Sequence, residues 1–188
     1  MPEAPGGGKD RVARLIRKSA QKEKLHTAVP PVERKPGAGV VMDLGVRVDG
    51  YCSDLTRTIS LGAPDAQFRR IYDIVLTAQE TAEERIEAGM TGAQAHAIAA
   101  EVIARAGHAD HFGHGLGHGV GLDIHEDPRL APGADHLLAE GQVVTVEPGI
   151  YIPGWGGVRI EDQCVMEDGR LRPLSTAPKL DLVRGARA

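Results

Sequence analysis

Aromatic side chains are almost missing from this chain, which holds one Trp, three Tyr and two Phe in 188 residues. A core built here must rest on aliphatic packing. Cysteine is as scarce: Cys52 and Cys164 form no spaced motif and fall in predicted strands, so reduced, buried thiols of a cytosolic protein are expected, not a disulfide. No run approaches the roughly 18 apolar residues of a membrane helix. The opening Met1-Pro2-Glu3-Ala4-Pro5-Gly6-Gly7-Gly8 lacks the apolar centre of a signal peptide. A cytoplasmic protein without a membrane partner is the expectation. No internal repeat is visible.

What the chain does have is glycine and proline, 24 and 12 of them, more than a helical bundle tolerates. With 41% hydrophobic residues over this length, one mixed α and β domain with a real core is expected. Charge is unevenly spread. Residues 1–35 carry nine Lys or Arg against four Asp or Glu, leaving 13 basic and 22 acidic residues for the rest. A basic leader can bind nucleic acid, but this one has no interleaved aromatics and reads as a solvated segment, with a thin helical stripe at Val12, Leu15 and Ile16. No nucleic-acid partner is expected.

Between residues 40 and 59 two β-rich runs, Val-Val-Met-Asp-Leu and Tyr-Cys-Ser-Asp-Leu-Thr, flank Asp49-Gly50, a favoured two-residue hairpin turn. With that turn, Val48 faces Tyr51 and Gly45 faces Asp54, which puts Asp43 on the same face as Asp54 and diagonal to it. Diagonal neighbours stand about 7–8 Å apart at the backbone, a gap that two carboxylates can close around a cation. Residues 65–88 predict a helix with Asp65 as N-cap and Gly89 as its stop, and residues 91–106 predict a second helix ending before Gly107. Their aliphatic stripes should cover one face of the sheet. His114 and His118 are four apart, as in a helical zinc pair, but the glycines at 113, 115, 117, 119 and 121, each costing about 1 kcal/mol in a helix, force extended or looped backbone close to a ligand or another strand. The runs at 143–147 and 157–161 read as strands of a second hairpin separated by residues 150–156.

Five residues then stand out in order: Asp43, Asp54, His118, Glu147 and Glu161. Asp43, Glu147 and Glu161 sit within or at the end of apolar runs, where an uncompensated charge is costly to bury and metal coordination offsets that cost. Four carboxylates balance two divalent cations, and oxygen ligands with one imidazole suit manganese, cobalt, iron or zinc better than copper. A dinuclear hydrolase is the inference. His96, His108, His111 and His136 read as hydrogen-bonded packing histidines and are left out of the site.

Five motifs carry a family resemblance: Met-Asp-Leu-Gly at 42–45, Gly-Tyr-Cys-Ser-Asp-Leu-Thr-Arg-Thr at 50–58, His-Gly-Leu-Gly-His-Gly-Val-Gly-Leu-Asp-Ile-His-Glu at 114–126, Glu-Pro-Gly-Ile-Tyr at 147–151 and Gly-Val-Arg-Ile-Glu-Asp at 157–162. In this order they resemble the pita-bread metallopeptidases, in particular the proline-specific branch of Xaa-Pro aminopeptidases and Xaa-Pro dipeptidases. The resemblance spans residues 36–174. It implies an α+β fold, a curved antiparallel sheet backed by helices, and two divalent metal ions, manganese first, with cobalt, zinc or iron as alternatives. It implies that Asp43 and Asp54 bind metal with Asp54 bridging, that His118 and Glu147 complete one ion, and that Glu161 bridges both.

The same resemblance implies attack of a metal-bridging water on the peptide bond preceding proline, with Glu147 as proton shuttle for the departing nitrogen. His114 and His125 match histidines that hold the substrate and stabilise charge on its carbonyl oxygen, while Tyr151 and Arg159 line the pocket. His26, 17 residues before Asp43, matches a substrate-site histidine by spacing. The implied partner is a peptide with proline at its second position, and a homodimer is the implied assembly. Relatives begin this domain with two further helices and a strand, which residues 1–35 do not resemble. The chain is therefore read as a leader over 1–35 and a catalytic domain over 36–188 lacking the usual first helices, the product of a shortened or misstarted reading frame. Three rivals remain open: a methionine aminopeptidase, which shares the five ligands; a noncatalytic binding module; and an inactive fragment.

Overall fold

The computed structural model describes residues 37, 39–60 and 62–179; the expected basic helix, the leader and His26 lie outside them. The first two strands, β1 (Gly39–Val48) and β2 (Tyr51–Ser60), pair antiparallel with Val48 facing Tyr51 and Gly45 facing Asp54. Asp49 at φ 52° and Gly50 at φ 89° make the turn, the left-handed pair that matches the twist of a tight hairpin. Asp43 faces Thr56. Since strand side chains alternate, Asp43, Gly45, Asp54 and Thr56 share one face, as the turn chemistry predicts.

Two helices follow. Helix α1 (Ala66–Arg85) opens on Asp65, whose side chain accepts from the Phe68 N–H at 2.7 Å. It ends at Arg85, three residues short of the expected last residue, Ala88. Ile86 is extended and fully buried, and the next residues leave the helix to pair with a turn of the sheet, Glu87 bridging Arg170 and the Ala88 N–H donating to the Gly169 carbonyl. The gain of burying Ile86 and joining the sheet overrides the glycine signal. Helix α2 (Gly92–Arg105) opens on a reciprocal cap: Thr91 Oγ1 accepts from the Gln94 N–H, and Gln94 Oε1 accepts from the Thr91 N–H. A 3₁₀ turn at Ala109–His111 follows.

The remaining strands are β3 (Gly117–Gly119), β4 (Glu126–Leu130), β5 (Val143–Val146), β6 (Gly149–Ile152), β7 (Gly156–Arg159), β8 (Asp162–Glu167) and β9 (Arg170–Pro173). They form an antiparallel sheet of order β4-β3-β5-β8-β9 and a separate β6–β7 ladder. The glycine-rich segment is extended, as its composition requires. A Cβ on Gly117 would lie 1.9 Å from the Thr145 carbonyl oxygen and one on Gly119 2.3 Å from that of Asp127, so only glycine lets β3 lie between its neighbours. Phe68, Val75, Ile86, Ile98, Leu130 and Val144 belong to one buried cluster, in which the helices cover the sheet.

The second hairpin differs from its prediction. The 143–146 run pairs with Asp162–Glu167, while the 156–159 run pairs with Gly149–Ile152. Both ladders keep one register: Val146 faces Asp162, and Gly149 faces Arg159. One long hairpin thus runs out over 143–152 and back over 156–167, and its ladder is interrupted where Glu147 stands opposite Glu161. Pro148 has no N–H to give a ladder. The N–H of Glu147 donates to Leu116 O at 2.8 Å, and that of Glu161 to Thr56 O at 3.0 Å. Each arm is therefore tied at this point to a different neighbouring segment.

Both cysteines are free; Cys164 is buried as expected, whereas Cys52 is only half-buried, its N–H donating to the Gly121 carbonyl at 2.8 Å. No helix among the described residues is long and apolar enough to cross a membrane.

Candidate metal centre

Strand alternation delivers Asp54 from β2, the close-packed glycine strand delivers His118, and the interrupted hairpin delivers Glu147 and Glu161. Ligand atoms of Asp54, His118 and Glu161 all lie within 4.8 Å of one another, and all three residues are buried. Glu147 adjoins them through its Oε1, 3.1 Å from His118 Nε2. Asp43 stands at the rim with its side chain 58% exposed, where it accepts from the Arg159 guanidinium. The same guanidinium lies 3.8 Å from Glu147 Oε2 and donates to the Tyr151 hydroxyl at 2.9 Å.

The two histidines assigned to substrate flank this cluster. The His125 ring, in an exposed loop, is centred 4.3 Å from that of His118. His114 turns Nδ1 toward the Gly115 carbonyl at 2.7 Å and stands edge-on to Tyr151, with ring centroids 5.6 Å apart. Elsewhere, His96 stacks on Phe112 and His108 meets His111 Nδ1 to Nδ1 at 3.1 Å, while His136 is exposed.

Packing four acids together has an electrostatic consequence. Burial, reinforced by the charge of Glu147, pushes the Glu161 carboxyl up to about 8. Burial, with the charge of Asp43, also raises Asp54. Burial works against ionised Glu147 too, but the hydrogen bond and charge of His118 outweigh it and hold the carboxyl below its usual range. Burial would lower His118, yet its hydrogen bond to Glu147 raises it overall.

These residues fit divalent cations. Glu161 Oε2 accepts from Thr56 Oγ1 at 2.6 Å, whereas Glu161 Oε1 is buried without any hydrogen-bond partner. A buried carboxylate oxygen without a donor is rare unless a cation satisfies it, and carboxylate oxygens joined by one imidazole are suitable donors for divalent cations. Asp54, His118, Glu147 and Glu161 would hold such ions, with Asp43 closing the rim.

Sequence reading missed the residues that aim these ligands. Thr145 Oγ1 donates to Glu147 Oε1 at 3.0 Å and accepts from the His118 N–H at the same distance, while Thr56 orients Glu161. Their signal was present: Thr56 lies two residues past Asp54, and Thr145 two before Glu147, so each shares a face with a ligand. Arg57 and Asp162 were missed as well. Both are buried and pair at 2.6 Å across 105 positions of sequence, a partnership that no local pattern encodes.

A match to metallopeptidase family M24 covers residues 7–168, opening inside the segment set apart as a leader. The chain belongs to this family. A Xaa-Pro dipeptidase of Pyrococcus furiosus is 50% identical over 142 residues, covering 75% of this chain and 41% of that protein. The solved prolidase from Pyrococcus furiosus superposes with a TM-score of 0.76 at 47% identity, over 77% of this chain and 43% of that one. The solved X-Pro aminopeptidase from Thermotoga maritima gives 0.75 at 41% identity, over 77% and 41%. The fold is thus the α+β pita-bread fold expected from the motifs. The chain spans about two-fifths of the length of the curated relatives it matches.

Proposed function

We propose that this chain hydrolyses the peptide bond preceding proline, using a pair of divalent cations, manganese first, held by Asp43, Asp54, His118, Glu147 and Glu161. The observation that carries this reading is the buried cluster of Asp54, His118 and Glu161 with the unpartnered Glu161 oxygen. Similarity to Xaa-Pro dipeptidases and aminopeptidases supplies the substrate class: a peptide with proline at its second position.

When bound, the cations supply positive charge that polarises the scissile carbonyl and acidifies water. The protein's part is positioning and proton transfer. Glu147, steered by Thr145 and His118, takes a proton at its carboxylate and returns it to the proline nitrogen, which cannot leave as an anion. His114, whose buried Nε2 has no hydrogen-bond partner, is free to meet a substrate oxygen, and His125 faces the cluster from the opposite loop. Arg159, fixed between Asp43 and Tyr151, offers positive charge beside the ligands to the substrate's polar groups.

Calorimetric titration of the metal-free chain with Mn(II), followed by assays on Ala-Pro and Met-Ala peptides, tests the reading. The expected result is binding of the cation pair, cleavage of Ala-Pro in preference to Met-Ala, and loss of both binding and cleavage in Glu161→Ala. A chain that binds manganese fully and leaves Ala-Pro intact overturns the substrate assignment.

A further inference from the structure

Beyond the last residue matched by the family lies a segment without regular structure that nonetheless touches the metal centre's supports. It leaves β9 alongside β8, where the Leu174 N–H donates to Gln163 O at 2.8 Å and Ser175 Oγ accepts from the Gln163 N–H at 3.2 Å. The Gln163 side chain in turn accepts from the backbone N–H of Asp54 at 3.1 Å. Ser175 is thus two hydrogen bonds from one candidate ligand.

The strap then passes beneath Arg57. A guanidinium has five N–H donors, and here each has a named acceptor. Nε donates to Pro178 O at 3.3 Å; Nη1 to Thr56 O at 2.9 Å and to Glu161 O; Nη2 to Asp162 Oδ1 at 2.6 Å and to Ala177 O at 2.9 Å. Two of the five acceptors belong to the strap, and one is the backbone carbonyl of Glu161. Lys179 fills its three donors in the same way, on Asp162 Oδ2 at 2.7 Å, Gln79 Oε1 at 2.7 Å and Glu83 Oε2 at 3.2 Å. Arg57 and Asp162 are 3% and 1% exposed. A network this saturated has one arrangement, because any shift strands a buried donor.

We propose that residues 175–179 are a positioning element of the metal centre, with Lys179 and Arg57 fixing the backbone that presents Glu161 and Gln163 fixing that of Asp54. The strap touches neither ligand side chain. It acts through the strands that carry them, as outer partners of metal ligands do. The proposal rests on the metal-peptidase reading above and concerns the ligands' geometry, not the choice of substrate.

Lys179→Met keeps the aliphatic stem and removes all three donors. Burial pushes the Glu83 carboxyl up to about 7 against the pull of Lys179, so in this variant Glu83 can hold a proton while Arg57 still balances Asp162, and the chain retains a way to fold. The full 188-residue chain is titrated with Mn(II) in wild-type, Lys179→Met and Ile98→Ala forms, the last being a core truncation on α2 whose apolar side chain supplies no hydrogen bond to the network. Lys179→Met is expected to weaken manganese binding at least tenfold, while Ile98→Ala lowers the melting temperature and leaves affinity within twofold of wild type.

Equal affinity in wild type and Lys179→Met overturns the proposal, as does equal weakening in both variants, which would mark the strap as general support. Should Lys179→Met fail to fold, Ser175→Ala carries the test with an expected threefold or greater loss, and unchanged affinity overturns the proposal. Manganese binding without Xaa-Pro cleavage defeats the substrate reading alone. Absence of manganese binding in wild type defeats both.

Discussion

Glu161 is the residue on which the chemistry and the stability of this chain pull in opposite directions. Its folded pKa of about 8 stands above the ordinary 4.5, because burial and the neighbouring Glu147 disfavour the charge. Between those values the folded chain holds a proton that the unfolded chain has released, so its stabilising contribution is full below about pH 4.5 and is lost as pH rises through about 8. Metal-free protein should therefore melt at progressively lower temperature across that window, and Glu161→Gln should flatten the slope. Identical slopes in wild type and variant, read by thermal melts at half-unit pH steps, would remove Glu161 as the cause. A divalent cation held at this site would reverse the sign, since it would bind the ionised carboxylate. Asp43, Glu147 and Glu161 were legible in the sequence because they interrupt or end apolar runs, and Asp54 because the hairpin turn sets it on the face of Asp43. Their threonine partners were legible only by asking which neighbours share a face, and the Arg57–Asp162 pair was not legible at all, since its members meet through the fold alone.

At the scale of elements, local chemistry decided most outcomes. Asp49-Gly50 set the register of the first hairpin to the residue, and Asp65 and Thr91 set the starts of both helices. Where local and tertiary demands competed, the tertiary demand won: α1 stops early to bury Ile86, and the second hairpin breaks its ladder where the Glu147 and Glu161 N–H groups turn to Leu116 and Thr56, although its register persists. The glycine strand is the least forgiving element. Gly117→Ala would place a methyl 1.9 Å from the Thr145 carbonyl oxygen, forcing β3 away from β5 and carrying His118 with it. Overpacking of this kind costs about 1–3 kcal/mol. We expect a fall in melting temperature of roughly 3–10 °C together with weakened metal binding; a variant as stable as wild type would mean that the strand spacing adjusts freely.

At the scale of the whole molecule, the β1–β2 hairpin is the open flank among the described residues. Its sheet has two strands among the described residues, and Leu44, Tyr51, Leu122 and Ile124 on or beside it are 56%, 64%, 57% and 38% exposed. Half of the amides of an edge strand point away from its partner. Hydrogen exchange should therefore be fast at alternate positions of β1 and slow throughout β5 and β8. Uniform protection along β1 would mean that the edge is paired in solution. The interrupted hairpin has a further consequence. Because Glu147 is tied to Leu116 and Glu161 to Thr56, the opening between the two carboxylates is set by the segments on either side, not by the fixed pitch of a ladder. The pair behaves as a caliper whose jaws are mounted on separate supports, so the gap it would offer a cation is set by how those supports are held. Substitutions beneath either support, rather than at the carboxylates, are where a preference for one metal over another would be tuned.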